Sequence, residues 1–213
     1  DRVIPMIPHR LSNGICSLNP QVDRLTLSCQ MEIDERGDVV GHEIFDSVIH
    51  SNYRMTYDEI NEIITDQNTE TRNQYSEITP MLDLAQDLSQ RLIHMRRRRG
   101  EIDFDINEAK VLVNEEGIPT DVEMRQRGEG ERLIESFMLA ANETIAEHFD
   151  RLEVPFIYRV HEQPKSERLR QFFDFVTNFG LMIKGTGEDI HPSTLQKIQQ
   201  EVEGQPEQMV LST

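Results

Sequence analysis

Four consecutive arginines, Arg96 to Arg99, form the densest cationic segment of the chain, and an aromatic residue, Phe104, follows shortly after them. Cations follow the phosphate backbone of single-stranded nucleic acid, while aromatic rings stack on its bases. The spacing therefore suggests a nucleic-acid contact that includes Arg98, Arg99 and Phe104. Two structural alternatives stay open. The arginines can complement the dipole at the C-terminal end of a helix, and Phe104 can be buried in a strand.

Two aspartates, Asp103 and Asp105, flank the same phenylalanine. On an extended segment they point the same way, so they could contribute to a divalent-cation site, but a solvated strand edge is the favoured interpretation. The GxG fragments at Gly128-Glu-Gly130 and Gly185-Thr-Gly187 lack the strand-to-helix context of a phosphate loop, so both are interpreted as ordinary loops. The sequence contains no motif of an independent catalytic centre.

Three polar residues in apolar surroundings are further candidates. Glu135 lies beside a helical stripe that includes Ile134 and Met138 and is expected to be exposed. Asn142 lies inside the apolar stretch, where its amide needs either a core hydrogen bond or a ligand. His161 follows a short apolar segment, so a capping or core role is the default and a role in a site is the alternative.

The apolar periodicity predicts helices separated by short hairpins. Residues 25–33 alternate as a half-buried strand and pair with residues 39–49. Capping and spacing predict helices near residues 56–64, 81–99, 133–149, 166–179 and 192–202. A second hairpin is predicted around residues 110–125, a short strand at 155–160 and a loop at 66–75. The pattern indicates an α+β fold, with antiparallel hairpins or a mixed sheet packed by several amphipathic helices, in a single domain spanning residues 1–213.

Composition limits the class of protein. Hydrophobic residues make up 37% and charged residues 29% of the 213, which is typical of a folded chain that does not span a membrane. The two cysteines, Cys16 and Cys29, are too few for a disulfide framework, so a cytoplasmic location is expected. The net charge of −17 argues against overall nucleic-acid affinity, although the local arginine segment can still bind phosphate.

Several segments, taken in order, resemble the ribonuclease II and ribonuclease R family, and they are closer to bacterial ribonuclease R. The two most specific are Val3-Ile-Pro-Met-Ile-Pro8 and the run of residues 11–25. The supporting segments are Arg98-Arg-Gly100 with Ile102-Asp-Phe104, Glu108-Ala-Lys110, Leu133-Ile-Glu135 with Met138 to Asn142, and Tyr158-Arg-Val-His161-Glu-Gln-Pro164. The resemblance identifies the chain as an interior part of an RNB catalytic domain.

This resemblance implies processive 3′→5′ hydrolysis of single-stranded RNA to nucleoside 5′-monophosphates with Mg²⁺. By the same resemblance, Phe104 stacks on the inner end of a column of bases near the RNA 3′ end, and Glu135 contacts a ribose near the scissile phosphate. A contact with the 2′-hydroxyl distinguishes RNA from DNA. Asn142 and His161 lie in family motifs without an assigned role.

The family's aspartate cluster, which binds the metal, is expected upstream of Asp1, and its transition-state arginine after Thr213. No catalytic residue and no metal ligand is therefore assigned to this chain, which is expected to be inactive alone and to self-associate through uncovered edges. The alternative is a non-catalytic domain whose acidic surface binds a protein partner.

Overall fold

A computed structural model describes the chain at residues 4–102, 108–114, 116–125, 127–160, 162–181, 192–202 and 204–205. The chain divides into two compact units. Unit 1 comprises Asp1–Arg91 with Gly128–Val154, and unit 2 comprises Leu92–Arg127 with Pro155–Thr213. A single domain over residues 1–213 stays a prediction.

Unit 1 begins with a hairpin and continues in helices. After a π-helical turn at Arg10–Ile15, β1 (Asp23–Ile33) pairs antiparallel with β2 (Val39–His50). The helices are α1 (Tyr57–Ile64), α2 (Thr69–Gln74), the first part of α3 (Thr79–Arg99) and α4 (Glu129–Arg151). The hairpin follows directly from the alternation in β1 and from the turn at Asp34, whose carboxylate accepts hydrogen bonds from the N–H groups of Arg36 and Asp38 at 2.8 and 2.9 Å.

The core of unit 1 lies among its helices. Ile63 and Ile64 from α1 pack with Leu82 from α3 and Leu133 from α4, and all four are buried. Phe137 packs against this cluster from the next turn of α4. The core therefore holds one face of α4 within unit 1 and leaves the opposite face of the helix outside the core.

Unit 2 contains the end of α3, a second hairpin and two helices. The hairpin pairs β3 (Glu108–Val113) with β4 (Pro119–Arg125), and the helices are α5 (Ser166–Thr177) and α6 (Pro192–Val202). Val176 of α5 is fully buried, and Ile198 and Val202 of α6 are nearly so. The predicted α+β class with antiparallel hairpins is confirmed: the described strands form two separate two-stranded antiparallel sheets.

Two local predictions are wrong. Residues 66–75 contain the short helix α2, because the Asn68 side chain accepts hydrogen bonds from the N–H groups of Glu70 and Thr71 and so caps it. Residues 155–160 form no strand, since this described segment joins no sheet ladder. The predicted alternating strand β1 is present, but its apolar face is covered only near the turn: Leu25 is 87% exposed and Leu27 is 73% exposed, whereas Met31 is half-buried against α4.

Candidate functional site

The N-terminal end of α4 is held by a single side chain of α1. Asn61 Oδ1 accepts a hydrogen bond from Gly130 N at 2.8 Å, and Asn61 Nδ2 donates to Glu131 Oε2 at 3.2 Å. The same Glu131 oxygen accepts from Gly128 N at 3.2 Å. These bonds satisfy backbone donors that a helix start otherwise leaves open. α4 is thereby fixed to α1 at its first turn.

The interpretation of Gly128-Glu-Gly130 as an ordinary loop is wrong. Gly128 caps α4 and Gly130 lies in its first turn. A Cβ on Gly128 would lie 2.3 Å from Asn61 Nδ2, and one on Gly130 would lie 3.1 Å from Ile60 Cγ2. The glycines therefore allow α1 to approach the helix start closely. Asn61 was missed from the sequence, and the paired glycines before a helical pattern are the signal that could have indicated a close approach.

α1 is itself anchored by a capping box and a tyrosine. Thr56 Oγ1 accepts from Glu59 N, and Glu59 Oε2 accepts from Thr56 N at 2.8 Å. The Tyr75 hydroxyl donates to Glu59 Oε1 at 2.7 Å. The Tyr75 hydrogen bond, followed by those from Thr56, lowers the pKa of Glu59. The support for α4 thus includes an acidic group that is stabilised in its ionised form.

The two candidates on α4 lie on the side of the helix opposite its buried stripe. That stripe consists of Gly130, Leu133, Ser136, Ala140 and Thr144. At 3.6 residues per turn, Glu135 and Asn142 lie about half a turn away from it and two turns from each other, roughly 10 Å along the axis. Glu135 is half-buried and Asn142 is exposed. The structure therefore brings these two predicted residues onto one face.

The stripe expected from the sequence is wrong in its direction. The sequence pattern predicts Ile134 and Met138 in it, yet they are 42% and 58% exposed. The buried stripe includes the polar Ser136, whose hydroxyl donates to the Arg132 carbonyl oxygen at 2.7 Å. Asn142 makes no core hydrogen bond, because its side chain faces away from the core. Of its two alternatives, the contact with a ligand stays a prediction.

The arginine segment ends α3 in unit 2, and its first member is structural. Arg96 is 7% exposed, and its Nε donates to Glu101 Oε1 at 2.8 Å. Gly100 N donates to the Arg97 carbonyl oxygen and Glu101 N to that of Arg96, both at 3.1 Å, which is the Schellman pattern. Gly100 adopts a φ of +96°, which completes this turn. The end of α3 therefore has one defined conformation.

α6 adds a second support to the same helix end. Gln196 Nε2 donates to the carbonyl oxygens of Arg97 and Glu101 at 2.8 and 2.9 Å. Arg98 and Arg99 are exposed beside this anchored turn. The helix-end interpretation of the arginines is therefore correct for Arg96, and the phosphate-binding interpretation stays a prediction for Arg98 and Arg99.

Other predicted residues lie outside the described part of the chain: Phe104 and His161, the aspartates Asp103 and Asp105, and the fragment Gly185-Thr-Gly187. Within the described part, no three or more His, Cys, Asp or Glu side chains form a group that could hold a metal ion. Among the described helices, none has the length and apolar character needed to cross a membrane.

Comparison with known families gives the identity of the fold. The family model described as the RNB domain matches residues 1–213. This chain belongs to the RNB-domain family. Ribonuclease R 1 of Lactococcus lactis is 51% identical over 213 residues, covering 100% of the chain and 26% of that protein. Ribonuclease R of Thermotoga maritima is 44% identical over 207 residues, covering 97% of the chain and 29% of that protein.

A solved structure shares the fold of this RNB domain. The structure of Mycoplasma genitalium RNase R in complex with ribose-methylated single-stranded RNA matches with a TM-score of 0.89 and 26% identity. The match covers 99% of this chain and 33% of the Mycoplasma chain. The chain thus spans about a quarter to a third of its relatives' length. The resemblance to the ribonuclease R family is confirmed, and the roles of individual residues stay predictions.

Proposed function

We propose that this RNB domain segment is the central part of a processive 3′→5′ exoribonuclease and lines the channel that holds single-stranded RNA. The whole enzyme hydrolyses RNA to nucleoside 5′-monophosphates with Mg²⁺ in the cytoplasm, with metal ligands supplied from outside this chain. The relatives named ribonuclease R support this proposal, as does the Mycoplasma enzyme solved with single-stranded RNA.

The observation that carries the proposal is the shared face of Glu135 and Asn142 on α4. Residues that contact a ligand must be accessible while their backbone stays fixed. α4 meets both conditions, because Asn61 and the core hold one side of the helix and leave these two side chains on the other. We assign Glu135 to a ribose 2′-hydroxyl and Asn142 to a neighbouring polar group of the RNA.

The proposed contact of Glu135 is testable through the sugar. In the full-length protein that carries this chain, Glu135→Gln should weaken binding of a single-stranded RNA about tenfold. Binding of the DNA oligonucleotide of the same sequence should change little, since it has no 2′-hydroxyl. Glu147→Gln is the matched control, because Glu147 lies about three and a third turns further along α4 and pairs with Arg151. Equal losses for RNA and DNA would refute the ribose contact.

Arg98 and Arg99 are assigned to the RNA backbone. Each phosphate contact contributes about one unit to the slope of log affinity against log salt. Arg98→Gln and Arg99→Gln should each lower that slope by slightly less than one, whatever the RNA sequence. Arg91→Gln, which removes an exposed arginine paired with Asp87, should leave the slope unchanged. An unchanged slope in all three variants would exclude the backbone contact and favour the acidic protein-interaction domain, which the net charge of −17 suggests.

We also assign Phe104 and His161 to RNA binding, with Phe104 stacking on the inner bases. In the full-length protein, Phe104→Ala should change the length of the RNA left at the end of digestion, and unchanged end products would assign Phe104 to packing.

The chain by itself should release no monophosphates from single-stranded RNA with Mg²⁺. Robust release by the chain alone would show that it carries its own catalytic centre.

A further inference from the structure

Two histidines in unit 1 meet although 106 positions separate them in the sequence. His42 on β2 places its Nε2 2.9 Å from Nδ1 of His148, which lies near the C-terminal end of α4. The ring centroids are 5.0 Å apart and the ring planes are nearly perpendicular, at 80°. Neither histidine takes part in the proposed RNA contacts. The pair is accessible, since His42 is exposed and His148 is half-buried.

A packed contact lies next to the pair and fixes its two elements. Met31 is the cross-strand partner of His42 in the hairpin. Its sulfur accepts a hydrogen bond from Thr144 Oγ1 at 3.4 Å. Thr144 is 4% exposed and lies one helical turn before His148. The hairpin and α4 are therefore joined immediately beside the two imidazoles, which makes their approach a property of the fold.

We propose that His42 and His148 form a two-imidazole site for a divalent transition-metal ion, with Cu²⁺ as the ion bound most tightly. Two nitrogens 2.9 Å apart, each about 2.0 Å from one ion, subtend an angle of roughly 90° at that ion. This is the angle between neighbouring ligands in tetragonal coordination, the geometry typical of Cu²⁺ and Ni²⁺. A tetrahedral Zn²⁺ site would separate the nitrogens by roughly 3.3 Å.

Proton balance permits this binding without a change in imidazole charge. Without metal, one ring donates its N–H to the other, and each neutral ring carries one proton. When an ion binds, the donating ring moves its proton from its inner to its outer nitrogen by exchange with water, so that His42 carries its proton on Nδ1 and His148 carries its proton on Nε2. Both inner nitrogens then offer a lone pair to the ion, and water fills the other positions. The net charge of −17 raises the local concentration of cations around the chain.

The site can be tested with Cu²⁺ and the complete chain. Electron paramagnetic resonance with spin-echo modulation counts the imidazoles on the ion, and we expect one equivalent of Cu²⁺ bound to two imidazoles. His148→Gln should leave one imidazole and weaken binding at least about tenfold, since the chelate is lost. His9→Gln removes an exposed histidine elsewhere and should keep both imidazoles. Titration with Ni²⁺ and Zn²⁺ should give weaker binding in the order of intrinsic affinities.

Two results would overturn the proposal. One is a two-imidazole signal that persists in the His42→Gln/His148→Gln double variant while circular dichroism shows an intact fold. The other needs no variant: substoichiometric Cu²⁺ should broaden the amide NMR signals around His42 and His148 in the unchanged chain. Broadening centred on His50 or His94 instead would place the ion elsewhere and exclude this pair as the principal site.

Discussion

α4 and the end of α3 both carry candidate RNA-contacting residues, but the two helices are anchored differently. At the start of α4, one side chain, Asn61, binds the helix start, and two glycines let it approach. At the end of α3, the backbone turns through Gly100, a nearly buried ion pair joins Arg96 to Glu101, and Gln196 binds two carbonyl oxygens. The first anchor is a side-chain clamp, and the second is mainly a backbone turn.

The two anchors also differ in their distance from the candidate residues. Glu135 lies seven residues after Gly128, roughly 10 Å along α4, so the clamp can be changed without altering the contact itself. Arg98 and Arg99 lie directly between Arg96 and Gly100, within the anchored turn. Stability and RNA affinity should therefore be separable on α4 and coupled at the end of α3.

The largest effect is expected for Gly100→Ala, which breaks the α3 anchor. Its φ of +96° is strained for alanine, and the added Cβ would lie 2.9 Å from the backbone nitrogen of Ser193. Strain and overlap together should lower the free energy of unfolding by about 3 kcal/mol or more. Gly180→Ala is the matched control, because Gly180 has a φ of +79° and its added Cβ would meet no described atom within 4 Å.

Urea denaturation measures both glycine variants. Gly180→Ala should cost only the strain, about 1–2 kcal/mol. If the two variants lose equal stability, the contact with α6 contributes nothing, and the anchor at the end of α3 is the backbone turn alone.

The next effect tests the ion pair within the same anchor. Arg96→Gln leaves Glu101 without its nearly buried partner and should cost about 2 kcal/mol, discounted because Glu101 is 31% exposed. Arg91→Gln breaks an exposed i,i+4 pair on the same helix and should cost less than about 0.5 kcal/mol. Thermal unfolding of the two variants should separate them clearly. Equal and small losses would show that the Arg96 pair is screened like a surface pair.

A smaller loss is expected when the α4 clamp is opened. In Gly128→Ala the new Cβ would overlap the Asn61 amide at 2.3 Å, but a side chain can rotate away where a backbone cannot. The cost should be about 1–2 kcal/mol, mainly from the lost hydrogen bonds. Gly14→Ala, whose Cβ would meet no described atom within 4 Å, should have little effect. A loss as large as that of Gly100→Ala would contradict the difference between the two anchors.

The sequence predicted the elements that depend on neighbouring residues. The hairpin of β1 and β2, the capping box of α1 and the helix ending before Gly100 follow from local periodicity and turn chemistry, and all three are confirmed. The paired glycines could indicate a close approach at the start of α4 but not that Asn61 makes it, because its partners lie about 70 positions away. The buried face of α4 was misassigned since apolar Met138 stays exposed while Ser136 satisfies its hydroxyl within the helix.

The smallest effect is expected from a change of pH, which should weaken the anchor of α4 more than the anchor at the end of α3. Hydrogen bonds from Tyr75 and Thr56 lower the pKa of Glu59 below its ordinary value of 4.5. A lowered pKa in the folded state gives stability that is present above the ordinary value and is lost as pH falls through the lowered one. Acid should therefore weaken α1, and with it the clamp on α4, as the pH falls below 4.5 and through the lowered pKa of Glu59.

Glu59→Gln isolates this contribution, because glutamine can still accept in the capping box but does not titrate. Urea midpoints of this variant should fall less steeply with acid than those of the unchanged chain. The acid dependence that remains in this variant should include a contribution from Asp83, whose pKa is lowered by its hydrogen bond from Arg72. Glu70→Gln removes the same charge from an exposed position on α2 and is the comparison for general charge repulsion. If Glu59→Gln and Glu70→Gln flatten the curve equally, the acid effect is general charge repulsion, and the side-chain clamp on α4 is no more sensitive to acid than the backbone turn that ends α3.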